Sequence, residues 1–281
     1  MKLPKPKYTV SDVNHKYSIM LPSGETIGPL KSVTTILDVI SKPALYQWYA
    51  RMACEQIEQR LMVIAGQNIR LTPDWITEVV AEGRKRPKVV KDEAAELGTA
   101  AHAAFEALIK GASPIAPPEI APAIEEFRRW LGQTKTTIVA QEVRVGSAKY
   151  KFGGRFDALG EREGKIGILE WKTATGLYPE FALQTAGGYA IAVEEQYPGT
   201  KIEWVDIARF PKKSPWGTEI CPVIDMAAAR EGFLAALTLT RALKADLIGA
   251  ASYSTFAENI PAQNAPLATV PKKKPVLPLG F

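Results

Sequence analysis

The stretch Gly153–Thr173 reads GGRFDALGEREGKIGILEWKT. Two short apolar runs flank the charged segment Glu161-Arg162-Glu163-Gly164, the pattern of a strand, a polar turn containing glycine, and a second strand. The second strand, from Ile166, stays apolar until it reaches Glu170 and Lys172. Residues two apart on a strand share a face, so Glu170 and Lys172 emerge together at the end of a strand that reads as buried on both sides.

Whether Asp157 joins them depends on register. A four-residue loop, 161–164, pairs Gly160 with Lys165 and sets Asp157 opposite Ile168. Asp157 is then the diagonal neighbour of Glu170 and within side-chain reach. A loop one residue longer or shorter would turn Asp157 to the other face. Two carboxylates and a lysine in an apolar setting are costly unless paired or holding a cation, and two hard oxygen ligands suit Mg²⁺ or Mn²⁺. Glu-x-Lys is also common in a chain that is 23% charged, and Glu163-Gly164-Lys165 is a second, solvated copy. On this hairpin alone, a cation site and a cross-strand ion pair are equally good readings.

Gly154-x-x-Asp157, an apolar strand into Glu170-x-Lys172, and then a helix carrying Gln184 together resemble the PD-(D/E)XK nuclease superfamily. The likeness is greatest to the RecB-like exonucleases, which include stand-alone phage exonucleases and the mitochondrial genome-maintenance exonuclease. It runs from about Ser32 to Phe210, with Phe156 standing where the name-giving proline would be. GTAAHAAFE, residues 98–106, is similar to the family's G-x-x-x-H motif, whose histidine is a metal ligand; taken alone, His102 on an alanine-rich face reads as a core histidine. The resemblance implies metal ligation by His102, Asp157, Glu170 and the backbone carbonyl of Trp171, with Asp157, Glu170, Lys172 and Gln184 as the catalytic set. It places Gln184 near the scissile phosphate. The family's partner tyrosine lies four residues beyond that glutamine, but position 188 is Gly and the tyrosine is Tyr189. That offset turns Tyr189 off the face of Gln184 unless the helix bulges at Gly187-Gly188. Glu142 is similar to the acidic position preceding the metal aspartate.

Composition narrows the alternatives. The 281 residues carry a net charge of +5, which leans toward a polyanionic partner. The two cysteines, Cys54 and Cys221, lie far apart. They point to a reducing compartment and cannot supply the four-cysteine iron–sulfur cluster of some RecB-like nucleases. The start has no apolar run, so no secretory signal is expected. No stretch approaches the length of a membrane span, and no GxxxxGK[ST] signals a fused ATP-driven motor.

Ahead of the hairpin, residues 1–31 alternate in the manner of strands. Ser32–Ile40 and the segment from Pro43 read as two helices, the second carrying Trp48 and Tyr49. These aromatics could stack on the bases of a single strand, with packing of Trp48 in the core as the simpler reading. Pro73–Ala81 is expected to form another helix. The densest basic cluster follows, Arg84, Lys85, Arg86, Lys88 and Lys91 in eight residues, either a solvated face or a grip on the DNA backbone. Lys88–Lys110 reads as a strong helix whose Gly98, His102 and Glu106 share a face, with Gly98 permitting close backbone approach. Arg155 in the hairpin and Lys212 and Lys213 after it are further candidate phosphate contacts, and Asp225 is a good N-cap for a final helix.

The expected fold is α/β: a restriction-endonuclease-like mixed central sheet of about four or five strands, flanked by helices, with a helical N-terminal region. A nuclease domain is expected over 1–250, with an N-terminal hairpin and helical wall over 1–85 and a catalytic core over 86–250. Residues 251–281 read as a disordered tail that could dock a replication or recombination protein. The resemblance implies a Mg²⁺- or Mn²⁺-dependent exonuclease acting on single-stranded or duplex DNA ends in phage recombination, replication or repair. Its setting would be the cytoplasm of a bacterial or phage-infected cell, with no membrane partner. A catalytically silent nucleic-acid-binding protein of the same fold and a structure-specific endonuclease are the alternatives.

Overall fold

The computed structural model describes residues 3–212 and 217–244. Lys213 and the expected tail, 251–281, lie outside the described residues. The backbone divides into two units, Met1–Arg241 and Ala242–Phe281, and the elements that follow belong to the first, apart from the last residue of the final helix.

The N-terminal segment forms a hairpin of β1 (Thr9–Val13) and β2 (Lys16–Met20), to which β3 (Thr26–Ser32) adds antiparallel. Tyr8–Met20 is thus two strands, because Asn14 and His15 take left-handed backbone angles, φ 52° and 60°, and turn the chain. Helix α1 (Val33–Leu37) follows, capped by the Ser32 hydroxyl, then α2 (Pro43–Ile64) with its proline in the first turn. Next comes α3 (Pro73–Ile109).

One helix runs where two were expected. A proline inside a helix removes a hydrogen bond and costs about 3 kcal/mol, yet α3 continues through Pro87. The reason is tertiary. Pro87 and Gly83 are both buried, and α2 packs so closely there that a methyl group on Gly83 would lie 2.6 Å from Ile57 Cγ1. Arg60 and Glu82 add an ion pair across the two helices at 3.1 Å.

The centre of the sheet is β5 (Phe152–Arg162). Along one edge β4 (Thr137–Ser147) pairs with it antiparallel, from Thr137 opposite Glu161 to Ser147 opposite Phe152. The other edge is divided between two strands. β3 pairs parallel with its start, at Lys31–Phe152 and Ser32–Gly153, and β6 (Lys165–Lys172) pairs antiparallel with its end, from Arg162–Lys165 to Ala158–Leu169. Between them, residues 154–157 have no ladder partner on that edge, and the sheet forks. β7 (Trp204–Arg209) pairs parallel with β6, and β8 (Glu219–Pro222) antiparallel with β7. Eight strands thus join one mixed sheet among the described residues.

Each face has its own core. On one, α1, α6 (Ala190–Gln196) and α7 (Met226–Ala242) cover Phe152, Phe156, Leu159 and Ile168. Asp225 caps α7 as expected, its carboxylate accepting from Ala228 N at 2.8 Å. On the other face, α3 and α4 (Ala121–Gln133) cover Ala158, Leu169, Trp171 and Phe210. Phe105 of α3, fully buried, stacks on Phe127 of α4 with ring centroids 4.1 Å apart and meets the Trp171 ring edge-on. This is the expected mixed sheet flanked by helices, with eight strands among the described residues where four or five were expected, because the N-terminal strands join it through β3. No helix among the described residues is long and apolar enough to cross a membrane.

Phe105 fixes α3 on the sheet one turn beyond His102. Phe105→Ala is expected to lower stability by about 3–5 kcal/mol and, through the loosened helix, to weaken the His102–Asp157 hydrogen bond. Denaturant unfolding and an NMR pH titration of His102 in the variant check both effects.

Candidate active site at the fork of the sheet

The hairpin joining β5 and β6 turns on two residues, Glu163 and Gly164, with φ 52° and 79°, the left-handed pair of a tight hairpin turn. The expected four-residue loop is therefore wrong, and the register shifts by two. A shift of two preserves the face. Carried one rung past Ala158–Leu169, the register sets Asp157 directly opposite Glu170.

At that rung the ladder gives way to side chains. Asp157 Oδ2 accepts from the Trp171 backbone N–H at 2.6 Å, and Asp157 Oδ1 accepts from His102 Nδ1 at 2.8 Å. Glu170 Oε1 accepts from Lys172 Nζ at 2.7 Å and from Gln184 Nε2 at 3.0 Å. Glu170 Oε2 is buried and has no hydrogen-bond partner. Asp157, Glu170 and Gln184 are each under 9% exposed. Lys172 Nζ also lies 4.7 Å from the centre of the Phe181 ring.

The charges settle unevenly. Burial pushes the Glu170 carboxyl up, and neighbouring Asp157 adds to this against the pull of Lys172, so its pKa stands at about 7. Burial also opposes the charge on Asp157, but His102, Lys172 and the Trp171 N–H overcome it and hold the carboxyl below its usual range. For His102 burial acts downward, yet Asp157 and then Glu170 raise the imidazole above its ordinary value. Lys172 is likewise raised, because Glu170 and Asp157 outweigh its desolvation.

A wide cleft of about 400 Å³ opens beside this cluster, between α3 and the β4–β5 pair. His102, Glu106, Glu142, Arg155 and Asp157 line it. Glu142 has φ 49°, a left-handed angle that costs a non-glycine residue about 1–3 kcal/mol. Across from it, Phe156 packs in one core and Ala158 in the other, although residues two apart on a regular strand share a face. The alternation of β5 slips at Asp157, and that slip leaves the carboxylate between the two cores. The cleft also shows Gly98 in a new light: a methyl group there would come no nearer than 3.7 Å to Thr173 Oγ1, so close approach does not require glycine.

The bulge on which Tyr189 depended is present. Between α5 (Glu180–Ala182) and α6, residues Leu183–Tyr189 form a π-helical segment. Its wider turn brings residues five apart onto one face, and Gln184 Nε2 donates to Tyr189 Oη at 2.9 Å. The two glycines make room for it. A methyl on Gly187 would sit 2.6 Å from Ala229 O, and one on Gly188 2.6 Å from Val33 Cγ1.

The remaining candidates lie apart from this cluster. Trp48 and Tyr49 are half-buried, with ring centroids 5.3 Å apart, on a helix with no buried residue, so Trp48 is not a core residue. Arg84, Lys85 and Lys88 are exposed and Arg86 is half-buried; Lys88 pairs with Asp92 at 2.6 Å. At 1.5 Å per residue, Arg86 is about 24 Å along α3 from His102, so the basic cluster does not share the site. Lys212 Nζ donates to Ala94 O on α3 at 3.2 Å.

Neither a family model nor a curated protein matches this sequence. Among solved structures, the chain is similar to an alkaline exonuclease (LHK-Exo) from Laribacter hongkongensis, at 16% identity over 76% of this chain and 91% of that one, with a TM-score of 0.33. It is also similar to SSO0001, at 13% identity over 68% of this chain and 85% of that one, with a TM-score of 0.30.

Among the described residues, no group of three or more His, Cys, Asp or Glu side chains is gathered as a ready cation site. The hydrogen bonds explain this: both Asp157 oxygens and one Glu170 oxygen are turned onto protein donors. The orphaned Glu170 Oε2, buried beside a second carboxylate, nonetheless fits a hard cation. Such an ion must displace the proton that Glu170 holds below about pH 7 and meet an unprotonated His102. Millimolar Mn²⁺ is therefore expected to raise the melting temperature more at pH 8 than at pH 6. An equal rise at both would place the ion elsewhere.

Proposed function

We propose that this chain is a divalent-cation-dependent deoxyribonuclease that acts on DNA ends in recombination, replication or repair. The observation that carries the reading is the convergence of Asp157, Glu170, Lys172 and Gln184 at the sheet fork, with His102 against Asp157. An ion-pair role alone would leave no reason to bury Glu170 with one oxygen unpartnered.

His102, Asp157, Glu170 and the Trp171 carbonyl would hold Mg²⁺ or Mn²⁺. When bound, such an ion polarises phosphoryl oxygens and lowers the pKa of a coordinated water. Lys172 supplies positive charge beside Glu170, to be shared with the oxygens of a pentavalent phosphorus as their charge grows. Gln184 has a narrower task. Both N–H donors of its amide are engaged, by Glu170 Oε1 and Tyr189 Oη, so toward a ligand it offers only its carbonyl oxygen. That group accepts from a water and repels a phosphoryl oxygen. Tyr189 acts through Gln184 and is a positioning residue.

The test is incubation of end-labelled linear and circular DNA, single- and double-stranded, with Mg²⁺, Mn²⁺ or EDTA. Linear strands are expected to be degraded from their ends with either ion and to survive in EDTA, and closed single-stranded circles are expected to persist. Cleavage of circles at the rate of linear strands would make the chain an endonuclease; undiminished cleavage in EDTA would remove the cation from the mechanism.

Two variants read the roles apart. Lys172→Ala is expected to cut kcat by roughly a hundredfold or more, as for loss of an electrostatic stabiliser, with DNA affinity little changed. Tyr189→Phe removes one hydrogen bond worth about 1 kcal/mol, and about a fivefold loss in kcat is expected. Full kcat in Lys172→Ala would reduce the lysine to an ion-pair partner of Glu170.

A further inference from the structure

Two residues along β5 from Asp157, two arginines stand opposite each other. Arg144 of β4 and Arg155 of β5 are direct cross-strand partners. Their neighbours Val143 and Phe156, also partners, are buried in the core on the far side. Both arginines therefore face the side on which α3 and the cleft lie, and Arg155 lines that cleft with Asp157.

Like charges directly opposite each other on an antiparallel pair are destabilising, and the surroundings relieve only half of this. Arg155 Nε pairs with Glu142 Oε2 at 3.1 Å. The terminal nitrogens of Arg155, and Arg144 as a whole, have no hydrogen-bond or ion-pair partner among the described residues. Both side chains remain accessible, Arg155 at 38%. The next rung toward the N-terminal hairpin is closed, because Tyr17 packs on Gly153, where a methyl group would lie 2.6 Å from Tyr17 Cβ. The arginine pair thus occupies a bounded step of the sheet, with Glu142 and Asp157 on one side and Tyr17 on the other. Two residues of strand span about 6.6 Å, the length of one nucleotide in an extended polynucleotide.

We propose that Arg144 and Arg155 form a subsite for the phosphate one nucleotide away from the one being cut, so that the substrate strand runs along β5 from Asp157 toward the N-terminal hairpin. Guanidinium groups suit this, because their planar forks bind phosphate oxygens in pairs. Glu142 steadies Arg155 through Nε and leaves its terminal N–H groups for the anion. The subsite rests on the nuclease reading above and specifies where its substrate lies.

The experiment uses single-stranded oligonucleotides that each carry one neutral methylphosphonate linkage at a defined position. The wild-type chain should pause twice: when the neutral linkage is itself scissile, and again when it lies one nucleotide away. Arg144→Ala, which alters an exposed side chain that bonds to none of the site residues, should cut unmodified DNA about tenfold more slowly, as for loss of a charged hydrogen bond. It should also lose the second pause while keeping the first. A second pause that persists in Arg144→Ala, or one that is absent from the wild type, overturns the subsite. Failure of the wild type to cut any strand overturns the nuclease reading instead, and strand binding in varied salt then still reads the arginines. In that case, a salt slope lower by about 0.7 in Arg144→Ala/Arg155→Ala, one phosphate's worth on a single strand, supports the anion site, and an unchanged slope overturns it.

Discussion

Two carboxylates nearly removed from water and a half-buried lysine sit within hydrogen-bonding distance of one another or of one backbone amide at the fork of a β-sheet. Burying ionised groups without full pairing is among the costlier things a fold can do, and the architecture is arranged around making it tolerable. The fork is what permits it. Because β3 and β6 each take only part of one edge of β5, residues 154–157 are free of ladder partners there, and the Asp157 carboxylate can serve the Trp171 amide in place of a backbone carbonyl. A continuous sheet would satisfy that amide with backbone and leave Asp157 without its anchor.

Three elements distant in sequence close on this point, each through a local device. α3 brings His102 to Asp157 because Phe105 locks it against Phe127 and Trp171. The π-helical segment brings both Gln184 and Tyr189 to Glu170 by adding a residue to the turn, and Gly187 and Gly188 allow α7 and α1 to press against the widened helix. Tyr189 in turn packs over Gly154, where a methyl group would lie 2.6 Å from its Cε1. Glycine in the Gly154-x-x-Asp157 pattern is thus a steric requirement of the tyrosine, which reaches the other carboxylate, Glu170, through Gln184.

The sheet, the hairpin and the site cluster were legible in the sequence because they rest on period-two patterning and on a few polar residues interrupting an apolar strand. Asp157 and Glu170 were brought together despite a wrong turn length, since the error was two residues and faces repeat every two. What escaped depended on contacts between elements. Pro87 reads locally as a break, and only the packing of α2 at Gly83 keeps α3 whole. Trp48 reads as a core residue by its size, but α2 has no buried face to place it in. Gly98 reads as a close approach and is not one. Glu142 carried no sign in the sequence of its left-handed backbone, and Arg144 could be matched with Arg155 only once the β4–β5 register was known.

The two ends of β5 provide an internal comparison. At the far end Arg162 donates to Thr136 Oγ1, pairs with the buried Asp206 at 2.6 Å and lies 3.8 Å from the centre of the Trp204 ring. There the same sheet gives a buried carboxylate a guanidinium partner. At the fork it leaves Glu170 Oε2 without a donor, sets two arginines opposite each other with one carboxylate between them, and holds Glu142 at a left-handed angle. Unmet hydrogen bonding and unrelieved charge fall within two residues of Asp157 along β5 or directly opposite it, and Glu142 is left-handed within a strand, whereas the left-handed residue beside Arg162, Glu163, belongs to the hairpin turn. A fold able to satisfy buried charge at one end of a strand does not leave it unsatisfied at the other through any limit of its architecture. Deficits concentrated in this way fit the proposed reading, in which a cation at the carboxylates and a phosphate at the arginines supply what the chain does not.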